Sequence, residues 1–507
     1  MNAYKLIGAH GRLFIQKMEK LKQKTLDIAE IRLVGEPYQK NVDGDAIDAT
    51  KVMEVLAFNE SYAERLKQSI AENSKNLIPL IEGGYYGVDA KLKKGENLTY
   101  EEAFSLMTFV TMTSNRQIRS ELAQKIKVGD TSKETLMLQG VALLSAMSTK
   151  EAFVGLTPEE IAGLTAATLE LDTIVKINGE EQVFGIGGMG GDRGYPKNGN
   201  NSKLFSLSTM SSAVLANFQN VHKHHSYPNT SKVAGQTAIE AIGGRSDQNS
   251  SKQMEYLQKE SGLFMSSCHT TRTLHTISHR LKGETINHIV GPLSIPIAKE
   301  TTVNAMIGVN DNVHPETVIK SLQILQEKSV QFYGNSVAFC GLITQDSNSQ
   351  DFQEKSYYRS PETKRKVVLD EVAPPPYDTL ASFLIKGKNM GTYIIRPTDF
   401  LEQLFLDQIN FNQLLIPNTA ESILSANTDA VSGKDLPKSI YLSMTVALGL
   451  FTRYYAHLPG ALNPTTGRVN SQMLQDAFLK SFDAITSGLG IKKLEEYIQM
   501  SYDVIKQ

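Results

Sequence analysis

The sequence predicts an α/β fold in which a small helical domain stands beside a large α/β domain with a central mixed sheet flanked by helices. Three observations predict it: a succession of helix-start signals between residues 91 and 173, strand-like runs alternating with helical segments after that, and a helical close from Thr419 on. Strands alternating with helices bury a sheet between helical layers. A chain of 507 residues, 41% of them hydrophobic, has material for roughly two to four domains. The expected boundaries are an N-terminal helical extension over 1–90, the small helical domain over 91–173 and the α/β domain over 174–507.

Bulk properties exclude several function classes. No run of 18 apolar residues could span a membrane, and the most apolar window, Tyr441–Phe451, reads as a buried helix. The N-terminus lacks an apolar core followed by a small-residue cleavage site, so no signal peptide is expected. Two cysteines, Cys268 and Cys340, make no disulfide framework and suit the cytoplasm. Both lie on apolar-flanked segments and are expected to be buried. A net charge of −2 leaves no footprint for nucleic acid, so no such partner is expected.

The elements follow in order. Thr99 with Glu102, Thr131 with Glu134, and Thr157 with Pro158 and Glu160 each form a capping box ahead of apolar residues at helical spacing. In such a box a hydroxyl satisfies an orphan N–H and the glutamate reaches back. After residue 173 the period changes. Gln182–Gly188 reads as a short strand running into a glycine-rich loop. The runs NVHKHHSY, TINHIVGPL, VNAMIGV, NSVAFCGLI and KVVLDEV are strand-like, separated by helical segments such as Ala234–Ile242 and Pro315–Leu325.

Chemistry is concentrated after the first strand. The loop GIGGMGG (Gly185–Gly191) exposes bare backbone, which costs folding entropy and either turns sharply or holds an anion. It lies at the carboxyl end of a strand, where α/β folds collect ligands, and Ser208 and Thr209 follow at a helix start. The loop fits neither nucleotide pattern: the P-loop lysine is missing, and no acid lies at the ribose distance. Read from the residues alone, phosphate cradle and glycine turn with a serine cap remain open. The histidines of HKHH (His222, His224, His225) have no cysteine or acid nearby in sequence and read as a polar pocket wall rather than a zinc site. Asp370 and Glu371, seen alone, read as a solvated strand end. The run Lys364–Lys366 reads as a solvated loop end, and Ala373–Asp378 as a stiffened loop.

Taken together, GMGGD (Gly188–Asp192), FSLSTMSSAV (Phe205–Val214), VHKHHS (Val221–Ser226) and TSKVAGQTAIEAIG (Thr230–Gly243) resemble, in order and spacing, the anthranilate phosphoribosyltransferase family. The family's corresponding motifs are G-T-G-G-D, N-I-S-T, K-H-G-N-R and S-x-K-x-G. The likeness continues through Gly262–His275, Thr285–Pro296 and VVLDEV (Val367–Val372), and covers roughly residues 91–507.

The resemblance implies a cleft between the two domains and a chemistry: phosphoribosyl diphosphate loses diphosphate to an incoming amine, with Mg2+ as cofactor. It also implies a homodimer formed through the helical domain. By the resemblance, Gly188, Gly190, Gly191 and Asp192 bind the diphosphate and ribose. Ser208 and Thr209 bind phosphate, with Ser208 also helping to hold the metal. Lys223 offsets phosphate charge, Ser226 stands at a donor-binding position, and Asp370 and Glu371 bind magnesium. The acceptor side falls to His224, His225, His269, His279 and Arg280, and no catalytic residue is singled out.

Departures from the family pattern fall mainly on the acceptor side. Met189 replaces a threonine and Ser206 an asparagine, and Arg193–Lys203 lengthens the loop. His225, Ser226 and Tyr227 stand for G-N-R, and His279 or Ser278 occupies the position of an acceptor-binding arginine. A neutral group cannot match arginine's bidentate grip on a carboxylate. The expected acceptor is therefore an amine or nitrogen heterocycle in an altered site. A nucleoside phosphorylase of the same fold, or a non-catalytic relative that binds nucleic acid or a protein, are the alternatives.

Overall fold

The computed structural model describes residues 85–114, 133–172, 174–177, 179, 181–190, 202–226, 235–245, 251–268, 285–342, 368–417 and 419–504. A helical bundle comes first: α1 (Tyr85–Lys93), α2 (Tyr100–Ser114), α3 (Lys133–Phe153) and α4 (Pro158–Leu171). Two of the three capping boxes lie among the described residues, and both form. Thr157 Oγ1 accepts from Glu160 N at 3.2 Å and Glu160 Oε2 accepts from Thr157 N at 2.9 Å. The same reciprocal bonds join Thr99 and Glu102 at 3.2 and 2.9 Å. Thr131 lies outside the described residues.

The two boxes differ in depth. The Glu160 carboxylate is wholly buried and also accepts from Lys150 Nζ at 2.9 Å and Leu98 N at 2.8 Å. It therefore ties the ends of α3 and α4 to the chain entering α2, whereas Glu102 stays partly in solvent.

The α/β part is built on β1 (Gln182–Gly188), β2 (Ser202–Leu204), α5 (Leu207–Leu215), β3 (Val221–His225), α6 (Gly235–Ala241), α7 (Ser251–Ser261), β4 (Leu263–Ser267), α8 (Asn287–Leu293), β5 (Thr302–Gly308), α9 (Pro315–Glu327), β6 (Ser336–Leu342), β7 (Val368–Leu369), β8 (Thr379–Ile385) and β9 (Lys388–Ile395). Then follow β10 (Leu415–Pro417), α10 (Ala420–Val431), α11 (Leu436–Leu450), β11 (Leu462–Asn463), β12 (Arg468–Val469), α12 (Ser471–Thr486) and α13 (Leu489–Asp503).

Among the described residues one ten-stranded sheet runs β11-β12-β9-β8-β6-β5-β1-β3-β4, with β7 added on β6. It is mixed: β4, β3, β1, β5 and β6 are parallel, while β6–β8 and β8–β9 pair antiparallel. The five strands β4, β3, β1, β5 and β6 are buried nearly throughout, as a parallel sheet covered on both faces requires. The helix α5 packs against α11 and α13, and α9 lies against β6 and β8 while also touching α4 of the bundle.

One expected strand is a helix. The run TINHIVGPL forms α8 over Asn287–Leu293. Its apolar residues Ile286, Ile289, Val290 and Leu293 fall at i, i+3, i+4 and i+7, all buried on one helical face. Cys268 and Cys340 are buried thiols, and burial pushes the Cys340 pKa up.

Candidate active site

Parallel pairing brings three strand exits to one edge. Gly188 at the end of β1 stands opposite Gly308 at the end of β5, and Ile186 stands opposite Lys223 of β3. The strand β7 runs antiparallel to β6, with Leu369 opposite Gly341, and so returns Asp370 to the same edge. This is the carboxyl edge of the parallel strands, where an α/β sheet offers its ligand crevice.

Contact here is made through missing side chains. A Cβ on Gly308 would sit 1.8 Å from the Asp370 carbonyl oxygen, and one on Gly188 would sit 2.5 Å from Asp370 Oδ2. Glycine at both positions lets the acidic segment lie directly on the strand ends. Met189 N then donates to the Gly308 carbonyl at 2.9 Å, and Gly190 N donates to Asp370 Oδ2 at 2.8 Å. Gly190 adopts φ +76°, a left-handed conformation that glycine takes without strain and that turns the chain away after this bond. The side chain of Met189 turns into the core, which accounts for an apolar residue at the second loop position.

Lys223 is buried beside this pair. Burial drives its pKa down to about 8, against the opposing pull of Glu371 and Asp370. On a strand alternate residues share a face, so His225 lies on the side of Lys223 and His224 on the other. His225 is buried too, and burial with the neighbouring Lys223 charge lowers its pKa to about 3; its imidazole is neutral at physiological pH. His224 Nδ1 approaches the Ser294 carbonyl at 3.3 Å, and His222 Nε2 meets Ser266 Oγ at 2.7 Å. The three histidines therefore do not converge on one point.

Ser206 caps α5 without a side-chain bond; its N–H donates to Asn427 Oδ1 at 2.9 Å. Ser208 is half-buried, and Thr209 is 1% exposed with an Oγ1 that has no hydrogen-bond partner. A Cβ on Gly235 would lie 3.0 Å from His225 Cβ and 3.4 Å from Thr209 Oγ1, so the starts of α5 and α6 and the end of β3 meet around that glycine. The Ser226 carbonyl accepts from Gln236 N at 3.3 Å.

Of the residues singled out in sequence, Gly188, Gly190, Lys223 and Asp370, with Glu371 next in the chain, come together at one edge. Ser208, Thr209, His225 and Ser226 line the adjoining end of β3 and α5. Gly191, Asp192, His269, His279 and Arg280 lie outside the described residues. Three features had no motif to announce them. One is Gly308, whose close approach seats Asp370. Another is β2, the end of the loop insertion, which pairs antiparallel with β10. The third is Glu151 of the helical bundle, which bonds to Asn310 and Asn312 just past Gly308.

Chains of known function share this architecture. No protein-family model matches the sequence. An anthranilate phosphoribosyltransferase of Methanococcus maripaludis is 25% identical over 411 residues, spanning 80% of this chain and 98% of the relative. One from Pyrococcus abyssi is 28% identical over 314 residues, 61% of this chain and 74% of its own. Among solved structures, the anthranilate phosphoribosyltransferase of Thermus thermophilus superposes with a TM-score of 0.54 at 17% identity, covering 82% of this chain and 99% of the neighbour. That of Saccharomyces cerevisiae, in complex with PRPP and Mg, gives 0.55 at 16% identity, covering 83% and 99%.

Proposed function

We propose, for a chain that belongs to the anthranilate phosphoribosyltransferase family by sequence and by fold, the magnesium-dependent transfer of a phosphoribosyl group from phosphoribosyl diphosphate to an amine or nitrogen heterocycle. The observation that carries this reading is the junction of Gly190 N–H with Asp370 Oδ2, with the buried Lys223 ammonium beside it. In the transfer a C–N bond forms at the anomeric carbon, the C–O bond to diphosphate breaks, and the acceptor nitrogen gives up a proton. Charge moves onto the leaving group, so fixed donors and cations aimed at it lower the barrier.

The residues present suit a hard divalent ion. Asp370 Oδ1 is buried with no hydrogen-bond partner, while Oδ2 is held by Gly190, so one oxygen is oriented and the other is open to a ligand. Asp370, Glu371 and the Ser208 hydroxyl would supply oxygen ligands of the kind Mg2+ takes alongside substrate phosphates. The ion, when bound, would neutralise phosphate charge as diphosphate departs. The Thr209 hydroxyl and the Lys223 ammonium would bind and orient the donor beside a glycine loop whose Met189 and Gly190 N–H groups are already bonded within the protein. Position, rather than covalent chemistry, is the larger part of their contribution.

On the acceptor side the reading departs from anthranilate. His225 puts a neutral buried imidazole where the family pattern has glycine, which narrows the space next to Lys223 and supplies no charge for a carboxylate. The experiment is release of diphosphate from phosphoribosyl diphosphate and Mg2+ in the presence of anthranilate or of a panel of neutral amines and heterocycles. Turnover with a member of the neutral panel that exceeds turnover with anthranilate is the expected result. Exclusive turnover of anthranilate overturns the altered-acceptor reading, and no diphosphate release with any acceptor overturns the transferase reading.

A further inference from the structure

One carboxylate of the helical bundle reaches the edge of the sheet. Glu151, near the end of α3, is 3% exposed. Its Oε1 accepts from His288 Nε2 at 2.9 Å, from Asn312 Nδ2 at 2.9 Å and from Asn310 Nδ2 at 3.4 Å. His288 lies on α8, and the two asparagines lie on the segment leaving β5. Burial alone would raise the Glu151 pKa, but His288 and the two amides hold its carboxyl below the usual carboxylate range. A carboxylate this deep is tolerated only when its partners are in place.

What those partners adjoin gives the contact its meaning. Asn310 is two residues past Gly308, whose carbonyl holds Met189 N and whose open face seats the Asp370 backbone. His288 is four residues before Pro292, whose Cβ lies 2.6 Å from the point a Gly187 Cβ would occupy. The exit of β5 and the helix α8 thus flank the glycine loop from two sides, and both are fastened to the same oxygen of the bundle. We infer that Glu151 is a positioning residue: it fixes the spacing between α8 and the β5 exit, and so holds the Met189–Gly190 turn against Asp370. As a role in catalysis, this rests on the donor-site reading above; as a statement about the loop, it does not.

Amide exchange separates the two. The N–H groups of Met189 and Gly190 are bonded to Gly308 O and Asp370 Oδ2, and exchange at each reports opening of that bond. Hydrogen–deuterium exchange is to be measured on the full chain and on Glu151→Gln and His288→Gln, both of which keep a hydrogen-bonding side chain of similar size. The expected result is exchange about tenfold faster at Met189 and Gly190 in both variants, with the amides of β3 and β6 unchanged. In parallel, affinity for phosphoribosyl diphosphate with Mg2+ should fall by a similar factor.

Unchanged exchange at Met189 and Gly190 in both variants overturns the inference. So does a uniform rise across the sheet, which would make Glu151 a prop of the whole fold. If exchange responds as expected but the parent chain binds no phosphoribosyl diphosphate, the positioning of the loop stands and the donor-site reading falls.

Discussion

The main-chain N–H of Gly190 donates to Asp370 Oδ2 at 2.8 Å across 180 positions of sequence, and this bond closes the glycine loop onto the acidic segment. It exists because Gly188 and Gly308 have no side chains to keep Asp370 away. Both glycines are tight, but against different atoms, and the difference is measurable.

At Gly188 an added methyl meets Asp370 Oδ2, the tip of a side chain that can swing aside. At Gly308 it meets the Asp370 main-chain carbonyl at 1.8 Å, which cannot move without displacing the strand end. Gly188→Ala should therefore fold with nearly parental stability and lose donor affinity by about tenfold, as the carboxylate leaves Gly190. Gly308→Ala should lose about 3 kcal/mol of stability, the upper end of overpacking costs. Denaturant unfolding alongside donor titration checks both, and equal destabilisation by the two variants would contradict the account.

Lys223 sets a pH dependence of known sign. Its folded pKa, about 8, lies below that of an unfolded lysine because burial disfavours the ammonium. Between about 8 and the unfolded value the unfolded chain holds the proton and the folded chain does not, so this group makes stability rise with pH over that window. Donor binding runs the other way, since the ammonium that would face phosphate is lost as pH passes about 8. Affinity for phosphoribosyl diphosphate should be level below pH 7 and fall toward about tenfold per unit above 8. In Lys223→Met the affinity should be weaker and flat, and an unchanged slope in that variant would assign the dependence elsewhere.

Two capping boxes of the same sequence type should differ in worth. Glu160→Ala strands the buried Lys150 ammonium and the Leu98 N–H, and should cost about 3–5 kcal/mol, as for breaking a buried pair. Glu102→Ala removes a partly solvated contact and should cost about 1 kcal/mol. Urea unfolding of both variants decides it, and a cost for Glu102→Ala equal to or above that for Glu160→Ala would contradict the reading.

The parts of the fold legible in sequence were those written by neighbours in the chain. The bounds of β1, the boxes at Thr99 and Thr157, and the buried helix around Tyr441 all follow from spacing over a few residues. The helix α8 was not legible as one because a short apolar run suits either period until its burial is known. The β8–β9 hairpin turns at Lys386 and Gly387, both at positive φ, 49° and 77°, as a two-residue turn of primed type needs; in sequence only the glycine announces it.

In the site, glycine and lysine positions could be read from motif order. The depth of Asp370 could not, since it depends on Gly308, far away in sequence, having no Cβ. The grip of Glu151 on Asn310 and His288 was invisible for the same reason: no motif contains both ends of a contact between the bundle and the sheet edge.

The most direct measurement is calorimetric titration of phosphoribosyl diphosphate, with and without Mg2+, into the parent chain and into Asp370→Asn/Glu371→Gln, with thermal unfolding to establish that both are folded. Magnesium-dependent binding to the parent, lost in the double variant, is the expected result. Binding that survives in the double variant, or no binding to a folded parent, would contradict it.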